Sequence, residues 1–354
     1  MRLGLFVILV LTSIMARADL TGSARYEYIR GSEEELAHRF IVKSKLNSNL
    51  GPFGIFVEGF GEVEGNEDQA FIRRSPSKGY LQEAYLEFKL DSFYVRVGRQ
   101  ALRWSESWTL PSLDVWTGRR FNRLFFDSLA DQLTHPTGAS FTYAADTFSL
   151  ELAGIGEVAE TTYPIPIPET DNEKNTSFGA RVKWTLGGFG FSALSAQVLN
   201  KNVYGLTGNY AFETAVPKFE VGQITDTSIL SPLKKDQSFV TAGCDLFLGN
   251  WIVLPQVSYF ETNGLSGEDQ QSSYYLSAQW NPNRHDIQVQ VFTNTTTEDS
   301  FGSISYGYNW TDYFTILGFV QNYSGQTGLY QIYEEITGGP VFGLRMELSG
   351  NLAF

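Results

Sequence analysis

This chain has little of what cysteine, histidine or basic-surface chemistry needs. A single cysteine, Cys244, excludes an intrachain disulfide framework. The three histidines, His38, His135 and His285, stand apart from any cysteine or carboxylate cluster at ligand spacing, so neither a structural zinc site nor any cofactor is expected. With a formal charge of −13 and a pI near 4.8 there is no net basic field to attract phosphates, and nucleic acid is not an expected partner. Charged residues amount to only 18% against 15% aromatic, a balance foreign to disordered chains. Beyond the amino terminus no apolar run reaches the roughly 20 residues of a membrane-spanning helix, and 3.6-residue periodicity is scarce.

The amino terminus itself is distinctive. Arg2 supplies a positive start, Leu3 to Ile14 is almost wholly apolar, and Ala16-Arg17-Ala18 is an A-x-A cleavage pattern. Together these have the form of a secretory signal peptide. An anchor helix would need a longer run, whereas this one is broken by Thr12 and Ser13 and stops at Arg17. The expected organisation is a signal peptide over residues 1–18 and a single domain over residues 19–354, exported past the inner membrane.

What recurs along the exported part is alternation. Phe342, Leu344, Met346, Leu348, Gly350, Leu352 and Phe354 occupy one parity, and Gly343, Arg345, Glu347, Ser349, Asn351 and Ala353 the other. Strand side chains point to opposite faces with period two, so such a segment has one apolar and one polar face. Phe178 to Leu186 against Ser177 to Thr185, and Ile304 to Trp310 against Ser303 to Asn309, repeat the pattern. In Val240 to Leu248 the cysteine falls on the apolar face as a small packing residue.

Turn signals rich in Gly, Asn, Asp, Pro or Ser fall at Asn49 to Pro52, Asp91-Ser92, Ala145 to Thr147, Gly187-Gly188, Thr214 to Pro217, Gly249-Asn250, Asn281 to Arg284 and Asn309 to Asp312. These short reversals alternate with connections of variable length. The ladder predicts an all-β, antiparallel up-and-down transmembrane β-barrel of about 18 strands (16–18), with short turns at one end and longer loops at the other. Closure leaves no unpaired edge for lipid to solvate.

Two further features favour a barrel over a soluble sandwich. Trp184, Trp251, Trp280 and Trp310 all fall on the apolar parity at short-turn ends, as an interfacial aromatic girdle requires. The polar parity carries Arg25, Lys43, Lys45, Glu83, Glu87, Lys89, Arg181, Lys183, Arg345 and Glu347. A dry core between stacked sheets has no place for them, but a water-filled lumen does.

The last strand, ending in Phe354 after alternating apolar residues, resembles the C-terminal recognition strand of Gram-negative outer-membrane proteins, and the whole barrel resembles the porin superfamily. Val95-Arg96-Val97-Gly98-Arg99-Gln100, followed by Trp104-Ser105-Glu106-Ser107 and Leu113-Asp114-Val115, is similar to a motif of an uncharacterised group of proteobacterial porin-like barrels. That motif runs closer to R-x-G-R-Q then W-G-E, and Ser105 replaces its glycine. The resemblance implies an integral location in the outer membrane of a Gram-negative bacterium. The implied partners are outer-membrane lipid and lipopolysaccharide, the barrel-assembly machinery reading Phe354, and small solutes. A homotrimer and a monomer both fit.

The third long connection, about residues 104–136, holds Trp104, Trp108, Trp116, Phe121, Phe125 and Phe126, too apolar a set to stay extended in water. Arg73, Arg74, Arg96, Arg99, Arg103, Arg119, Arg120 and Arg123 crowd into and before it. In classical porins the third loop folds into the barrel and narrows the pore, and this one resembles them in position and length. The expected constriction is Arg96, Arg99, Arg103, Arg119, Arg120 and Arg123 facing Asp114, Asp127 or Asp131 across a narrow gap, where fixed charges sort solutes by charge. A folded surface lid whose arginines pair with neighbouring carboxylates is the alternative. The remaining long loops, such as Glu157 to Glu173, are acidic and read as solvated faces.

Three rival functions weigh less. A hydrolase needs a nucleophile beside a histidine, and none of the three has one. A plugged transporter needs a domain ahead of the barrel, whereas strand pattern begins near Ala24. An adhesin or structural barrel would have a blocked lumen. The reading is a passive channel for small hydrophilic solutes or ions, not an enzyme, with a channel selective for aromatic or hydrophobic compounds as runner-up.

Overall fold

The computed structural model describes residues 18–32, 35–64, 77–106, 113–119, 133–159, 176–226, 235–264, 267–326 and 329–353. The strands begin with β1 (Ala18–Arg30), β2 (Glu35–Leu50), β3 (Phe53–Glu64), β4 (Ser77–Leu90), β5 (Phe93–Arg99), β6 (Gly118–Arg119), β7 (Leu133–Thr134), β8 (Thr137–Ala144), β9 (Phe148–Glu157) and β10 (Ser177–Leu186). There follow β11 (Phe189–Val198), β12 (Lys201–Tyr210), β13 (Ala215–Asp226), β14 (Lys235–Leu248), β15 (Trp251–Gly264), β16 (Gly267–Trp280), β17 (His285–Asn294), β18 (Ser300–Asn309), β19 (Phe314–Ser324) and β20 (Val341–Ala353). Among the described residues one helix, α1 (Leu329–Thr337), sits between β19 and β20.

Eighteen of these strands form one antiparallel sheet, and β1 pairs with both β2 and β20, so the sheet closes on itself. The two short strands β6 and β7 pair only with each other, and β5 passes directly to β8. Closure satisfies every strand's backbone without an edge, the condition for crossing hydrocarbon with sheet. The 18-strand barrel expected from alternation is therefore the observed fold.

Turn chemistry accounts for the hairpins. Gly51, Gly187, Gly188 and Gly249 take positive φ at short reversals, where a side chain would be strained. Asp91 adopts φ 49° in its two-residue turn. One reversal departs from expectation. The chain turns at 211–214, not at 214–217, and Pro217 lies inside β13 opposite Cys244. The missing N–H falls where the β12–β13 pairing has already stopped, at Lys218, while the β13–β14 pairing runs on through Pro217; the turn is closed by the Phe212 N–H donating to the Ala215 carbonyl.

The two faces invert the rule for a soluble protein. Phe178, Trp184, Leu206, Val240, Leu276, Val291, Ile304 and Leu344 are exposed, while Arg25, Glu27, Arg39, Glu62, Glu220, Thr241 and Ser258 are buried. An apolar exterior around a polar interior is what hydrocarbon outside and water inside select. Trp280 ends β16, Trp184 stands two residues before the end of β10, Trp251 opens β15 and Trp310 follows β18, all on the outward face at the short-turn end. Trp251 and Trp280 pack 6.0 Å apart across the β15–β16 hairpin.

Candidate functional site

The segment that follows β5 identifies the inward face. A Cβ on Gly179 would stand 2.7 Å from Cη2 of Trp104, and one on Gly205 would collide with the Leu113 methyls. Gly179 shares its parity with Arg181 and Lys183, and Gly205 shares its parity with buried Thr207. The polar parity is thus the face that the segment touches, and the ring's interior is polar.

Trp104 and Trp116 are fully buried and meet edge to face at 5.2 Å. With Leu102 and Leu113 they pack against Ala153, Ile155, Leu194, Ala196, Val198, Val203 and Phe239 on β9, β11, β12 and β14. This apolar patch on an otherwise polar wall is where the segment docks. Polar contacts fix its register: the Ser105 hydroxyl donates to Glu220 Oε1 at 2.5 Å, Lys183 lies 3.5 Å from Glu106, and Asn209 donates to Glu106 at 3.2 Å. At its root Gln100 is buried and accepts from the Ser140 hydroxyl at 2.7 Å. The described parts of the third long connection therefore lie against the lumen wall from β9 to β14.

Asp114 Oδ1 accepts the N–H groups of Trp104 and Ser105 at 2.7 and 3.0 Å, pinning the segment to itself. Arg96 points inward, 2.6 Å from Glu87 and with its guanidinium 5.2 Å from the centre of the Tyr85 ring. Arg99 has the opposite parity from Arg96. It donates to the Leu81 carbonyl at 3.2 Å and lies 3.7 Å from Glu157. The Arg103 carbonyl accepts from Arg181, which also pairs with Glu151 at 2.7 Å. The side chain of Arg119, together with Arg120, Arg123, Asp127 and Asp131, lies outside the described residues, as does Phe354.

The densest charge cluster is on β20, β1, β2 and β3. Glu27, wholly buried, receives Arg25 at 3.0 Å, Arg345 at 2.7 Å and Arg39, which also reaches Glu62 at 3.5 Å. The register places Glu27 opposite both Arg39 and Arg345, so one carboxylate ties three neighbouring strands. Arg25 and Arg345 were expected in the lumen; Glu27, Arg39 and Glu62 share their inward face and complete the cluster. Lys43 and Lys45 continue that face on β2, with Lys45 4.9 Å from the Phe56 ring centre and 4.0 Å from Glu58. On β4, Glu83 accepts the Ala101 N–H at 3.1 Å. Glu347 stands opposite Arg25 in the register.

A second element docks inside. Helix α1 buries Tyr333 against Ile29, Phe319, Tyr323 and Val341, all on the inward parity. Tyr323, Tyr330 and Tyr333 lie within 5.3–6.4 Å of one another. The helix end is held by the Thr337 hydroxyl on the Tyr333 carbonyl and by Ser32 on the Gly338 carbonyl at 2.6 Å. Nothing in the sequence reading pointed to this helix.

His38 and His285 bond to Tyr26 and Tyr306, each at 2.9 Å, on the outward face.

No family model matches the chain, and no curated protein matches it. Solved structures do. A BenF-like porin from Pseudomonas fluorescens Pf-5 superposes with a TM-score of 0.66 at 8% identity, covering 96% of this chain and 98% of that one. Pseudomonas aeruginosa OccD3 (OpdP) gives 0.62 at 12% identity, covering 95% and 91%. Pseudomonas aeruginosa OpdK, solved with vanillate, gives 0.62 at 10% identity, covering 95% and 99%. The chain has the fold of these outer-membrane porins, as its last strand and its turn ladder implied.

Proposed function

We propose that the protein is a channel in the outer membrane of a Gram-negative bacterium, through which small hydrophilic solutes or ions diffuse passively. The observation that carries this reading is the inversion of polarity: an apolar outer wall around an interior of buried and half-buried ions, with part of the third long connection laid against it. Residues 1–18 direct export, and the barrel-assembly machinery reads the end of β20. Lipid and lipopolysaccharide surround the wall. The docked segment sets the size limit, and Arg25, Lys43, Lys45, Glu83, Glu87, Arg96, Arg181, Lys183, Arg345 and Glu347 set the charge preference, because fixed charges beside low-dielectric walls focus the field. The vanillate bound to OpdK supports a second reading, a channel selective for aromatic compounds.

Single-channel recording in planar bilayers, with reversal potentials in a salt gradient, tests the proposal. The channel is expected to conduct. Replacing Arg119, Arg120 and Arg123 together with Ala is expected to raise relative cation permeability, and unchanged selectivity would remove them from the constriction. A purified barrel that never conducts would overturn the function.

A further inference from the structure

The inner wall is chemically divided. From β20 through β5 the inward positions are dominated by ions. From β15 to β19, among the described residues, they carry charge only near strand ends, at Asp269 and Asp286. In mid-wall the register assembles two adjacent rows. Gln290 stands opposite Ser303, which stands opposite Gln321. One step nearer the short turns, Gln279 stands opposite Gln288, which stands opposite Ser305. All six are half-exposed on the inward parity.

Neighbouring strands lie about 4.8 Å apart and same-face residues about 7 Å apart along a strand. The rows therefore form a lattice of amide and hydroxyl groups, each able to donate and accept. Ser303 donates to Gln290 Oε1 at 3.4 Å, and at the short-turn edge Gln279 donates to Asp286 Oδ1 at 3.2 Å, so charge touches the lattice only at that edge among the described residues. An ionic wall holds tightly bound water and counter-ions. An amide wall exchanges one neutral hydrogen bond for another, so each exchange carries only a small net gain. Contacts that weak and repeated suit a solute that must enter and also leave. A solute matching the lattice offers several hydroxyls, alternately donor and acceptor, and no charge on the face it presents.

We infer that the β16–β19 wall is a recognition track for polyhydroxylated solutes, sugars and polyols, read through their hydroxyl groups. The inference rests on the channel reading above. It is tested on the intact barrel in bilayers and proteoliposomes, with glucose as probe and size-matched glutarate and lysine as comparisons. Glucose is expected to interrupt the ion current of the wild type in a concentration-dependent way. It is also expected to enter liposomes several-fold faster than glutarate or lysine. Gln288→Leu with Gln290→Leu should lower the glucose rate at least fivefold and leave KCl conductance within twofold. Ser303→Ala, a smaller change, should lower it in the same direction. A wild type that conducts KCl while passing glucose no faster than glutarate or lysine would overturn this inference alone, as would leucine variants with an unchanged glucose rate. A barrel with no conductance at all would overturn the channel reading beneath it.

Discussion

Trp104→Ala removes the largest anchor of the segment laid against the wall. The side chain is fully buried, sits on Gly179 where a Cβ would stand only 2.7 Å away, and meets Trp116 edge to face. Truncating a buried tryptophan to alanine costs about 3–5 kcal/mol. The indole Nε1–H has no partner inside, so burial already carries a desolvation penalty that truncation removes. The lower end of the range, about 3 kcal/mol, is therefore expected. At about 1.4 kcal/mol per tenfold, the docked state loses roughly a hundredfold against the released state. The barrel wall makes none of its strand pairings through Trp104, so the protein should still fold and shift its electrophoretic mobility on heating. Single-channel recording should show a larger and noisier conductance. A folded Trp104→Ala barrel with wild-type conductance and noise would refute the view that this segment limits the aperture.

Two other perturbations follow from named contacts. Glu27→Gln leaves Arg25, Arg39 and Arg345 without their shared carboxylate; breaking a buried ionic cluster in this way costs about 3–5 kcal/mol, seen as a lower temperature for the heat-induced mobility shift. Asp299, in the connection between β17 and β18, is held above its ordinary 3.8 by burial, with the Thr297 hydroxyl acting the other way. The folded state thus keeps the proton longer than the unfolded one, and stability at this rim falls as pH rises from about 3.8 through the raised value. Hydrogen exchange at 295–299 should quicken across that window, and Asp299→Asn should flatten the dependence.

Much of the fold was legible because a barrel wall repeats one local rule: apolar and polar residues alternate, and turn residues interrupt them. That rule needs no knowledge of partners. It failed where partners decide. Pro217 looks like a turn residue but is absorbed as the third residue of β13. Helix α1 has only nine residues, too few for 3.6-residue periodicity to stand out, and its tyrosines read equally well as strand. Glu27 and Arg39 carried the correct parity signal, but their meeting depends on the β1–β2 register, a property of two strands and not of either.

Gly179 and Gly205 show most clearly why the interior was harder to read than the wall. In a strand pattern an inward glycine looks like a weak position, since it packs nothing and loses more entropy on folding. Here each glycine lies under a buried side chain of the segment after β5, Trp104 over one and Leu113 over the other. A wall that must seat an apolar segment inside a polar lumen has to offer close approach, and only a missing side chain provides it. The apolar residues around these glycines, Leu194, Ala196, Val198 and Val203, break the polar parity on adjacent strands. Taken strand by strand these are defects in the alternation; placed side by side by the register they are one landing surface. A loop that docks inside a barrel should therefore be sought where inward glycines and apolar residues coincide on neighbouring strands.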